Sequence, residues 1–212
     1  MSGTSIRRAA TADLTEIRQL IDDAYSKYIE RIGRPPAPMN ADYAAALEHS
    51  RVWVLESGQA IVGALVTEDR GDHLLLETIA VAPAAQGSGH GRQLLDRAER
   101  DAAELGFSEV RLYTNEAMTE NLSFYPRHGY HETGRALQEG FRRVFFSKTV
   151  GNDHVGDLPD GDRRDHLESG GLPHSGSTVS RYSSVSAICA GSLPYGLEVR
   201  VLSRSTSTSA GR

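Results

Sequence analysis

The segment that most constrains the fold runs from His73 to Gly106. It opens with "HLLLETIAV", a nearly continuous apolar run of strand length. Such a run predicts a central strand covered on both faces rather than a half-exposed one. It continues through "APAAQGSGHGRQ", with glycines at 87, 89 and 91. It closes with Leu94, Leu95, Ala98, Ala102 and Leu105 at helical spacing, and Gly106 ends the helix. A strand feeding through a bare loop straight into an amphipathic helix commits this stretch to a layered α/β architecture.

The flanking patterns agree. "SIRRA" reads as a short strand. Thr11 is placed to cap a helix, with Leu14, Ile17, Ile21, Ala24 and Tyr28 on one stripe. "GRPPAPMN" ends that helix, because three prolines cannot continue it. "ADYAAALEH" is a second, shorter helix. "RVWVLE" and "AIVGALVTED", separated by "SGQ", read as a hairpin. "SEVRLYT" is a strand, "NLSFYPRH" a short helix, and "YHETGRAL" and "RRVFFSKTV" the closing strands. The expected product is a mixed α/β sheet with helices on both faces.

Composition changes after Val150. Residues 1–150 form the periodic domain, whereas 151–212 are rich in Gly, Ser, Asp and Thr and offer little to bury, so a mostly disordered tail is expected. Within it, "LEVRVL" (Leu197–Leu202) alternates as an edge strand would. The net charge of −5 gives no reason to expect a nucleic-acid or membrane surface as partner. No apolar run reaches the roughly 18 residues of a membrane span, and the N-terminus lacks the apolar core of a secretory signal. The single cysteine, Cys189, fits a reducing cytoplasm. No His, Cys or Asp cluster has metal-ligand spacing, so no metal is expected.

Alternating glycines permit positive φ and let another molecule approach the backbone. The helix that follows begins with N–H groups lacking internal partners, which together with its dipole suit a phosphate. Two phosphate loops fail on the residues. Gly91 is followed by Arg92 and Gln93, not Lys-Ser/Thr, and a Gly-x-Gly-x-x-Gly started at Gly87 meets Arg92 at its sixth position. What remains is Gln-x-x-Gly-x-Gly at Gln86, Gly89 and Gly91. With "LETIAVAP" before it and "NLSFYPRHGY" about thirty residues later, the chain resembles the GNAT superfamily of acyl-coenzyme A-dependent N-acetyltransferases over roughly residues 5–149. The glycines would otherwise make only a tight turn.

The resemblance implies a mostly antiparallel, twisted sheet of about seven strands and acetyl-CoA as co-substrate. It implies that Gln86, Gly87, Ser88, Gly89, His90, Gly91 and Arg92 hold the pyrophosphate, Arg92 being alternatively a solvated first-turn cation. Ile79 and Val81, where the strand splays from its neighbour, would bond the pantetheine arm, and an N–H there would polarise the thioester carbonyl. Asn121 would contact the coenzyme or else cap its helix. Tyr125 would be the general acid for the leaving thiolate, or else a packed aromatic. Pro126 after it departs from a typical helix interior, implying a late start or a kink. Glu77 interrupts an apolar strand at a cost unless it is used or paired. Period two places it on the face of Ile79 and Val81, and the resemblance makes it the base or a substrate-orienting group; a salt bridge within the sheet or an exposed strand face are the bland alternatives.

Acceptor-side residues would be Tyr25, Tyr28 and Met39, beside "RPPAPM". The implied reaction is direct transfer of acetyl, within a ternary complex, to a primary amine of a small molecule or peptide. A homodimer is compatible with it. The competing readings are a catalytically silent acyl-CoA-binding regulatory module and an interaction protein acting through the tail.

Overall fold

The computed structural model describes residues 3–151. The expected tail, its strand at 197–202 and Cys189 lie outside the described residues. The described chain runs β1 (Thr4–Arg8), α1 (Leu14–Tyr25), α2 (Ile29–Ile32), α3 (Tyr43–His49), β2 (Arg51–Ser57), β3 (Ala60–Asp69), β4 (Leu74–Val81), α4 (His90–Leu105), β5 (Glu109–Asn115), α5 (Thr119–Arg127), β6 (His131–Gln138) and β7 (Phe141–Thr149). The strands form one seven-stranded sheet in the order β1-β2-β3-β4-β5-β7-β6, so the apolar β4 is indeed central. Every pairing is antiparallel except β4 with β5.

That parallel pairing is short. Only Leu74, Leu75 and Leu76 find partners, at Val110, Arg111 and Leu112. Beyond Leu76 the two strands separate, and at the same place β4 is bulged against β3. Val66 opposes Thr78 while Thr67 opposes Leu76, so Glu77 is the extra residue. The bulge also breaks the period-two expectation. Leu74 and Leu76 belong to the core cluster under α4 and α5, where Ile79 and Val81 also pack. Ala80 belongs to the cluster under α1 and α3.

These two clusters are the two faces of the sheet. Leu94, Leu95, Ala98 and Ala102 of α4 bury one face; Ile17, Leu20, Ile21 and Ala24 of α1 bury the other. Strand β3 shows the alternation plainly, with Leu65 on the first face and Ala64 and Val66 on the second. No described helix is long and apolar enough to cross a membrane.

Three local expectations need correction. Thr11 caps nothing: a short 3₁₀ turn precedes α1, and the Asp13 carboxylate accepts from the Ala10 N–H at 2.7 Å while pairing with Arg7. The first helical stripe is not one helix. It breaks at Ser26 and resumes as α2, which ends at Gly33 with φ 82°. Helix α5 starts at Thr119, ahead of Asn121, so Pro126 lies in its last turn rather than its first, and there it leaves the Leu122 carbonyl without an i→i−4 donor. Elsewhere α3 is capped by the Asp42 carboxylate, which accepts from Ala44 and Ala45 N–H.

One polar cluster fastens α4 to the sheet. Asp101 is fully buried and accepts from Trp53 Nε1 (2.8 Å), Thr67 Oγ1 (2.8 Å), Arg51 Nη1 (3.2 Å) and Arg97 Nη2 (2.8 Å). Removing a buried carboxylate leaves these donors stranded in a dry interface. Asp101→Ala is therefore expected to lower unfolding free energy by about 3 kcal/mol or more, read from urea denaturation. A loss below about 1 kcal/mol would show that the cluster does not anchor the helix.

Candidate functional site

The gap between β4 and β5 leaves one edge of β4 open. The Ala82 N–H donates to Val62 O of β3, so the alternate residues Ile79 and Val81 turn their backbone groups toward the gap. Both of their carbonyls are taken by side chains. Tyr25 Oη donates to Ile79 O at 2.9 Å, and Gln86 Nε2 donates to Val81 O at 3.0 Å. The N–H groups of the same two residues point the same way, so the open edge presents donors.

The glycine loop follows directly. Gly87 and Gly89 have φ of 82° and 83°, and a Cβ on either would meet nothing within 4 Å, so their backbone faces open space. Gly91 has a different job. It sits in the first turn of α4, where a Cβ would come within 3.0 Å of the Phe124 ring, so the missing side chain lets α4 pack on α5. The first N–H groups of α4 are without internal partners and its dipole is positive there.

Loop, open strand edge, α1 and α5 enclose a solvent-open cleft of about 660 Å³, lined by Ile79, Val81, Gln86, Gly87, Gly89, Gly91, Arg92, Asn121 and Tyr125 among others. Lys27, Arg92 and Arg127 bring three cationic side chains to it. Arg92 is largely exposed and lies 3.8 Å from Asp96. The donor edge, the bare loop, the helix terminus and these cations form one anion-accepting wall.

A second, much smaller cavity of about 60 Å³ lies beside the splay, lined by Glu77, Tyr113, Phe141, Arg143, Pro36 and Pro38 among others. Glu77 makes no ion pair among the described residues. Its carboxylate accepts from Tyr113 Oη at 2.9 Å to each oxygen. Burial moves the Glu77 carboxyl up from its ordinary value, and the Tyr113 hydroxyl pulls it back. Arg143 is buried and stacks over the Tyr113 ring at 4.1 Å, donating to Gln138 Oε1 (3.0 Å) and Glu139 Oε2 (2.6 Å).

The two cavities meet. Tyr25, Ile79, Asn121 and Tyr125 line both. Tyr125 is buried in an aromatic group with Phe124, Tyr130 and Phe146, and its hydroxyl has no hydrogen-bond partner among the described residues. Burial raises its pKa well above the ordinary phenol value, so the hydroxyl keeps its proton at neutral pH. Asn121 does not cap α5; its Nδ2 donates to Thr114 Oγ1 at 2.9 Å and ties the helix to the end of β5.

The structure thus gathers most of the sequence-derived residues at one junction. Ser88 and His90 do not line the cleft, although His90 begins α4. Tyr28 lines the phosphate-suited cleft rather than the Glu77 cavity, and Met39 lines neither, packing on the α1-side core instead. Sequence reasoning missed Tyr113, Arg143, Lys27 and Arg127. Tyr113 carried a usable signal, since strand alternation turns it away from the buried Leu112; the cations carried none. Among the described residues no group of three or more His, Cys, Asp or Glu side chains is placed to hold a metal.

Residues 48–132 match the family model described as an acetyltransferase (GNAT) domain. No curated protein matches at the sequence level. Among solved structures the chain is similar to the ribosomal-protein-S18-alanine N-acetyltransferase from Escherichia coli (17% identity, 74% of this chain and 99% of that one, TM-score 0.59). It is similar to nourseothricin acetyltransferase (21%, 70% and 99%, TM-score 0.56). It is also similar to the PaiA N-acetyltransferase from Thermoplasma acidophilum in complex with coenzyme A (15%, 69% and 99%, TM-score 0.59).

The Glu77–Tyr113 contact sets a direction that titration can read. Tyr113→Phe deletes the donor that favours the ionised carboxylate, so Glu77 should titrate at higher pH in the variant. A carboxyl-carbon NMR titration giving an equal or lower midpoint would contradict the assigned balance of burial and hydrogen bonding.

Proposed function

We propose that this chain, whose residues 48–132 match a GNAT acetyltransferase domain model, moves an acetyl group from acetyl-CoA to a primary amine, directly, while both are bound. The observation that carries the proposal is the junction: four residues, Tyr25, Ile79, Asn121 and Tyr125, belong to the walls of both cavities. An anion-accepting cleft and a carboxylate-bearing cavity that meet at one point are what a transfer between two bound molecules needs.

The cleft residues fit coenzyme A by their chemistry. Gly87 and Gly89 expose backbone where a diphosphate would lie, the α4 N-terminus offers amide hydrogens, and Lys27, Arg92 and Arg127 supply positive charge. The Ile79 and Val81 N–H groups suit the carbonyls of an amide-bearing arm, and one of them suits the thioester oxygen. A donor aimed at that developing oxyanion is worth about 10²–10³ in rate.

From the other cavity, Glu77 receives a proton from the bound ammonium, and the neutral amine so formed attacks the thioester carbonyl. The raised pKa of Glu77 suits it to that task near neutral pH better than an ordinary glutamate. Tyr125, protonated and without a hydrogen-bond partner among the described residues, donates its O–H to the sulfur as the carbon–sulfur bond breaks. The bond formed is carbon–nitrogen and the bond broken carbon–sulfur; of the two protons the nitrogen loses, one passes through Glu77 to solvent and the other restores the Tyr125 hydroxyl, and the thiol leaves with the coenzyme.

Two variants test the assignment. Tyr125→Phe should lower kcat by about 10- to 100-fold while coenzyme A affinity stays within about twofold, because the hydroxyl acts only as charge forms on sulfur. Unchanged kcat removes Tyr125 from the chemistry. Gly89→Glu puts a side chain and a negative charge where φ is 83° and the cradle is open. It should weaken coenzyme A binding by about 100-fold or more in calorimetry. Wild-type affinity in that variant would place the diphosphate elsewhere.

A further inference from the structure

The Glu77 cavity has two outer walls that are far apart in sequence. One is the loop after α2, through Pro36, Ala37 and Pro38; the other is Phe141, just past the β6–β7 turn. A single exposed side chain joins them. Arg34 Nη2 donates to Glu139 O at 2.5 Å, and its guanidinium lies 3.5 Å from the Phe141 ring centroid. The fit is close enough that a Cβ on Gly140 would stand 3.1 Å from Arg34 Nη2.

The turn is held from inside as well. Glu139 is the one described non-glycine residue with positive φ, at 53°. Its carboxylate accepts from buried Arg143, so two arginines grip one strained turn from opposite sides. Inside, the walls are aromatic and proline-rich: Tyr25, Tyr113, Phe141, Pro36 and Pro38. Two charges face in. Arg143 is matched by Glu139, whereas the hydrogen-bond donor to Glu77 among the described residues is the neutral Tyr113 hydroxyl.

We propose that Arg34 determines acceptor specificity, clasping the loop to the turn across the mouth of the cavity so that it admits small primary amines on an apolar body and excludes polypeptide. This rests on the acetyl-transfer reading and names the acceptor class within it. A polypeptide reaching Glu77 needs room on both sides of its amine, and the bridged walls deny that. A slender monoamine passes, its ammonium matched to Glu77 and its body to the aromatic walls.

The test uses the full chain and Arg34→Ala, with Arg34→Lys as a second variant that keeps the charge and loses the planar stack. Thiol release from acetyl-CoA is followed with three small amines (2-phenylethylamine, benzylamine, hexylamine) and two hexapeptides, one with a free N-terminus and one capped with a central lysine. Wild type should favour the best small amine over either peptide by about 100-fold in kcat/KM, and both variants should narrow that ratio by about tenfold with coenzyme A affinity unchanged. Wild-type use of a peptide on a par with the amines overturns the proposal, as does an unchanged ratio in a variant that binds coenzyme A normally. Release with no small amine while acetyl-CoA binds overturns the acceptor class alone. Failure of acetyl-CoA to bind wild type overturns the underlying transfer reading.

Discussion

The site depends on how little of β4 and β5 is paired. Parallel strands whose pairing stops after three residues leave the rest of the central strand with an unsatisfied edge in the middle of the sheet. A buried edge of that kind is tolerated when something else meets its backbone groups. Here Tyr25 and Gln86 take the two carbonyls, and the amide hydrogens of the same residues face the gap. The bulge at Glu77 sits where the strands part. One irregularity therefore opens the cleft, orients its donors and aims a carboxylate into the opposite cavity.

The surroundings hold this irregularity rigid. Helix α4 cannot tilt without stranding Asp101 in its donors, and its first turn lies against Phe124 with no side chain between. Helix α5 is tied to β5 through Asn121 and Thr114. The elements bearing the loop, the splay and Tyr125 are thus fixed to one another by buried polar contacts and close packing. Preorganised donors act on a transition state because they need no rearrangement when charge appears.

Much of the architecture could be read from periodicity. The continuous apolar run of β4 placed it at the centre, and the hairpin of β2 and β3 followed from a short polar break between two β-rich runs. The misreadings were local and share a cause: side chains competing for backbone groups. Asp13, not Thr11, took the free N–H ahead of α1, and the helical stripe from Leu14 to Tyr28 concealed a break that hydrophobic spacing does not register. The bulge was equally hidden. An inserted residue changes which face each later side chain occupies, yet it leaves the local run of apolar residues unaltered.

What the chain's order of residues determined alone was the set of local commitments: strand and helix identities, the positive-φ glycines and the odd carboxylate within an apolar strand. These follow from short-range sterics and from burial of the nearest apolar stripe. What only the tertiary structure decided was which distant groups share a space. Tyr113 reaching Glu77, Arg143 behind it, Arg34 reaching the β6–β7 turn and the meeting of two cavities at Tyr125 all depend on strand order and splay. Neighbours in space but not in sequence leave no periodic mark, because the contact is set by packing of whole elements rather than by spacing along the chain.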